Sequence, residues 1–159
     1  MKSATIHEIK QDLSTLKPAE LLDLCLRLGK FKKENKELLT YLLFEAHDEP
    51  GYVDGIKKEI DQNFAEINVS HLYFAKKSLR KIARIINKYC RYSGIKTTEV
   101  ELRIYFCTQL QNSGIPIERN PVIKNLYHSQ LKKTESVLQT LHDDLQYDYR
   151  RELEKLMDE

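Results

Sequence analysis

Between residues 67 and 98 the chain carries Lys76, Lys77, Arg80, Lys81, Arg84, Lys88, Arg91 and Lys96, and no aspartate or glutamate. Side chains of this kind do anion chemistry, because ammonium and guanidinium groups hold carboxylates and phosphates through charge-assisted hydrogen bonds. The formal net charge of +2 conceals the segment. Positions 1–66 carry ten cations against thirteen acids and positions 99–159 eight against eleven, so each flank is net −3. At about 100° per residue, Lys77, Arg80, Lys81, Arg84, Lys88 and Arg91 fall within an arc of about 100° on a helix, with Tyr73 on that arc and Tyr92 near its edge. Opposite them lie Leu72, Ala75, Leu79, Ile82, Ile86, Tyr89 and Cys90, the face such a helix would pack on a core. Like charges at i,i+4 cost a helix a few tenths of a kcal/mol per pair, so something is expected to offset the repulsion.

Three partners fit the stripe. The first is internal: the last 25 residues hold Glu135, Asp143, Asp144, Asp148, Glu152, Glu154, Asp158 and Glu159 against three cations. The second is an acidic surface of another protein. The third is nucleic acid, whose phosphates suit a row of Lys and Arg and whose bases or riboses suit Tyr73 and Tyr92. A pI near 8.3 and the absence of a recognition motif weigh against a dedicated nucleic-acid domain.

Catalytic patterns are sparse. There is no H-E-x-x-H, glycine-rich phosphate loop, G-x-S-x-G or Cys/His cluster. Glu152 and Glu154 point to different sides of a helix and do not form an acid/base dyad. Among five histidines, His47-Asp48 and His142-Asp143 are HD pairs, with His7 upstream. This H…HD…D order is similar to the ligand pattern of HD-type metal phosphohydrolases. The resemblance implies that His7, His47, Asp48 and Asp143 hold divalent cations that activate a water for phosphoester attack. Against that, His47 is expected at a helix C-terminus, where the macrodipole favours histidine without a ligand role. No catalytic residue, metal or cofactor is therefore assigned. Cys25, Cys90 and Cys107 have no C-x-x-C pairing and are expected as buried thiols. Tyr41, Tyr89 and Tyr105 are expected in the core, and Tyr147 and Tyr149 at a contact surface.

The elements that position the stripe are helices. Only 5 Gly and 4 Pro occur in 159 residues, so loops are few and short, and 41% hydrophobic content at low net charge is incompatible with disorder. The richest apolar run, residues 38–44, is far short of the roughly 20 residues of a membrane span. The N-terminus lacks the apolar core of a signal peptide, which points to the cytoplasm. Residues 5–16 place Ile6, Ile9, Leu13 and Leu16 on one face. Pro18 opens a second helix, 18–28, expected to bury Leu21, Leu22, Leu24, Cys25 and Leu28 and to end at a left-handed Gly29. A third, 33–47, and a fourth, 52–68, flank the turn cluster at residues 48–51. Ser70 is expected to cap a fifth, 71–93, closed by Gly94. Thr98 and Glu101 match the T-x-x-E box of a sixth. Val100, Leu102, Ile104 and Phe106 alternate as a strand would, but the cap favours helix. From Asn120 and Pro121 the pattern runs to the end as one long helix, or two with a break near 142–144.

The sequence thus specifies a single all-α domain over 1–159. About seven helices are expected, paired as antiparallel hairpins into a bundle or an array shaped like HEAT or armadillo repeats, without a repeat of fixed period. The favoured function is a non-enzymatic interaction module whose basic face, Lys77, Arg80, Lys81, Arg84, Lys88, Arg91 and Tyr73, meets an acidic protein. A nucleic-acid-binding accessory protein is second and an HD-like phosphohydrolase third.

Overall fold

Local capping chemistry starts four of the helices. In the computed structural model, which describes residues 2–157, Thr5 and Glu8 form a reciprocal capping box that opens α1 (Ile6–Ser14). Pro18 occupies the first turn of α2 (Pro18–Phe31), and the Glu20 carboxylate accepts the Lys17 N–H at 2.7 Å. α3 (Lys33–Thr40) runs on into a π-helical turn, Tyr41–Glu45. Asp48 accepts the Gly51 N–H and caps α4 (Glu49–Ala65). α5 (Leu72–Ser93) ends at Gly94, whose φ of 67° is the left-handed cap conformation that glycine adopts without penalty. α6 (Lys96–Asn112) follows. Asn120 then caps α7 (Pro121–Leu138), accepting from Val122 and Ile123, and α8 (Asp143–Met157) completes the chain. The fold is all-α, with eight α-helices and no strand among the described residues. None of these helices is long and apolar enough to cross a membrane.

The chain divides into two compact units, one up to Phe44 and one from Glu45. In the first, α2 packs on α3. Gly29 lies inside α2 rather than at its end: a Cβ there would sit 2.9 Å from Leu39 Cδ1, so glycine serves close helix approach and not a left-handed cap. No residue of α1, α2 or α3 is buried. The expected core face of α2 is therefore corrected: Leu22 is 60% and Leu28 59% exposed, and Cys25 is exposed as well. An apolar helix reaches a core only when enough other elements surround it, and this unit supplies one packing neighbour.

The second unit is a bundle organised around α6, which packs against α4, α5, α7 and α8. Its buried residues, Val100, Leu102, Arg103, Ile104, Phe106, Cys107 and Leu110 among them, point to nearly every side of the helix. A helix enclosed all round loses the one-faced stripe, which is why the run 100–106 reads as alternation. The T-x-x-E cap is also corrected. α6 begins at Lys96, so Thr98 lies inside it, 2% exposed, donating to Glu49 Oε1 at 2.6 Å, while Glu101 takes Lys57 at 2.6 Å. Ser70 does not cap α5; it bonds the Asn68 side chain, and His71 takes the cap position without a side-chain bond. The C-terminal stretch is two helices, broken at residues 139–142. Gln146 Nε2 donates to the Leu141 carbonyl at 2.8 Å, satisfying a group the break leaves open, and α8 packs on α6 and α7.

Candidate anion-binding groove

α5 sorts its residues by face. Ala75, Leu79, Ile82, Ala83, Ile86 and Cys90 are buried, whereas Lys77, Arg80, Lys81, Arg84 and Arg91 are exposed. None of those five cations forms an ion pair with any described residue. The acidic α8 lies on α6 and α7, and its described carboxylates leave the stripe unneutralised.

The stripe does not act as one surface. Along the flank of α5 that faces α7, an open groove of about 560 Å³ takes in Tyr73, Lys76, Lys77, Arg80 and Arg84 from α5, with Lys133 from α7. Among the described residues five cations line it and no carboxylate does. Tyr73 is 71% exposed, and the Lys76 Nζ stands 5.7 Å from its ring centroid. Lys81, Lys88 and Arg91 lie outside the groove. Lys88 is half-buried on the other flank, 4.8 Å from the Tyr89 centroid and 6.0 Å from that of Tyr92. Tyr92 is itself buried, so the expectation that its ring meets a base or ribose is corrected. An arc of about 100° on a helix is wide enough to address two neighbouring directions, and α7 rises beside only one of them.

Asn87 and Gln130 also line the groove, and both are held from below by Arg103, a buried cation on the central helix. Its Nη1 donates to Gln130 Oε1 at 2.6 Å and its Nη2 to Asn87 Oδ1 at 2.9 Å. Nε and Nη2 both donate to Glu99 Oε1, at 2.9 and 2.6 Å, which balances the charge. A guanidinium has donors only. Each amide must therefore turn its oxygen to Arg103 and its NH₂ the other way. Helical periodicity and motifs do not single out these three residues. The local sign of them is Arg103 inside the largely apolar run 100–107, since a buried charge requires polar partners close by.

The HD residues do not assemble. Among the described residues no three His, Cys, Asp or Glu side chains are grouped to hold a metal. Asp48 is spent on the α4 cap, and His142 sits 3.7 Å from Asp144 at the start of α8, both exposed. Of the other residues singled out, Tyr41 is buried, and Tyr105 is half-buried with its hydroxyl donating to Asp61. Tyr147 is exposed. Burial pushes the Cys90 and Cys107 thiols up to about 12.

Compared with protein-family models, curated proteins and solved structures, the chain matches none.

Proposed function

We propose that the protein is a cytoplasmic, non-enzymatic interaction module that holds an acidic segment of another protein in the α5–α7 groove. The observation that carries this reading is a groove lined, among the described residues, by five cations and no carboxylate, whose exposed stripe cations form no ion pair with any described residue. From Tyr73 to Asn87 it runs about 21 Å along the helix, the reach of an extended segment of about six residues. Nucleic acid fits less well. A sequence pI near 8.3 is below that of a dedicated nucleic-acid domain, and the chain carries no nucleic-acid recognition motif.

The test is fluorescence anisotropy with a labelled Glu/Asp-rich peptide against the chain and its Arg80→Glu/Arg84→Glu variant. Binding that weakens with salt and is lost in the variant is the expected result. Duplex DNA that displaces the peptide and binds more tightly than it does would move the assignment to nucleic acid.

A further inference from the structure

The groove floor is more specific than general attraction for acids requires. Gln130 is 2% exposed and its oxygen is consumed by Arg103, yet its Nε2 has no protein partner among the described residues. No fully buried side-chain nitrogen or oxygen among those residues lacks a partner. The Gln130 NH₂ is therefore the end through which this residue meets the groove. Asn87, oriented by the same guanidinium, turns its own NH₂ away from Arg103 in the same way. Around this pair of fixed donors the groove brings Arg80, Arg84 and Lys133. The nearest carboxylate to the network, Glu99, is engaged by Arg103 and opens on a neighbouring depression rather than on this one.

We infer that Asn87 and Gln130 form the base of a phosphate subsite, and that the acidic segment carries a phosphorylated serine or threonine at that point. A carboxylate brings two oxygens and one negative charge. A phosphomonoester brings three terminal oxygens and a charge near −2, enough to accept from both amides and pair with the guanidinium and ammonium groups together. Arg103 pre-orients the amides in the free protein, so binding does not have to order them. The inference rests on the acidic-segment reading of the groove and adds the modification.

The experiment titrates the intact chain with one labelled acidic peptide made in two forms, with a central serine or phosphoserine. The wild-type protein is expected to favour phosphoserine by about tenfold or more, the scale of one or two charge-assisted hydrogen bonds. Gln130→Glu keeps an acceptor for Arg103 and replaces the free donor with an oxygen. It should retain the helical fold by circular dichroism and drop the phosphoserine preference to near unity. Gln130→Met, which adds no charge, should also lower the preference. Equal affinity of the two peptides for the wild type would overturn the phosphate subsite and leave the acidic-segment reading standing. A preference unchanged in both Gln130 variants would place the phosphate elsewhere and equally overturn the subsite. Failure of both peptides to bind would overturn both readings, and tighter binding of a single-stranded oligonucleotide would assign the floor to nucleic-acid phosphate.

Discussion

The unit up to Phe44 and the unit from Glu45 are built from equally apolar helices and use them in opposite ways. In the first, Leu22, Leu28 and Phe31 remain at 59–75% exposure, and among its described residues only Tyr41 is buried. In the second, Leu79, Ile86, Leu102, Phe106, Leu110 and Ile123 are fully buried around α6. Aliphatic content does not make a core; the number of helices that surround each helix does. The difference also explains why the candidate site is in the second unit. A floor such as Arg103 with Asn87 and Gln130 is held in place only where a central helix is enclosed.

The comparison can be broken most sharply by amide hydrogen exchange. Amides of α1 and α2 should exchange through local opening, and those of α5 and α6 only through global unfolding. The gap should be about 10³-fold or more, because local openings cost close to nothing and global ones about 5 kcal/mol or more. Equal protection would show that the first unit is as well anchored as the second. Thiol labelling gives a similar contrast at single residues. Cys25 is exposed and should react under native conditions at pH 8. Cys90 and Cys107 are buried with thiols at about 12, far above that pH, so they stay protonated and should be modified only on unfolding.

Smaller effects sharpen the picture. Leu102→Ala should cost about 2–5 kcal/mol by denaturant unfolding, as a cavity in a closed core does. Leu28→Ala should cost within about 0.5 kcal/mol, as an exposed substitution does. Arg103→Leu should cost about 3 kcal/mol, the low end for a broken buried pair, because Glu99 is partly exposed and recovers some hydration. A cost below about 1 kcal/mol would mean the network does not order the groove floor. The smallest expected effect is that of Lys81→Glu, within about 0.5 kcal/mol, since this side chain is exposed and forms no ion pair with any described residue.

Much of this was legible in the residues. Low Gly and Pro content, the Thr5/Glu8 and Asn120 caps, Gly94 and the opposed faces of α5 specify an all-helical chain with an outward basic stripe. Other features depend on partners distant in sequence. Nothing local distinguishes Leu22, left in water, from Leu79, enclosed, because both lie on amphipathic helices. Thr98 looks like a cap because its real partner, Glu49, is 49 positions away. The groove itself needs α7 beside α5, so Lys133 and Gln130 could not be joined to Arg80 and Arg84 by helical periodicity. Arg103, a charge inside an apolar run, is the one local sign of the groove floor.

Lys81 and Arg84 stand one helical turn apart on α5, both exposed and both cationic, but only Arg84 lines the groove. Reversing each to glutamate changes the net charge of the protein identically. The most direct measurement is therefore the affinity of the labelled acidic peptide for Arg84→Glu and for Lys81→Glu, side by side with the wild type. If the groove holds the segment, Arg84→Glu should weaken binding by about tenfold or more and Lys81→Glu by only a few-fold. Equal losses would contradict the groove and leave a diffuse basic helix as the attractant.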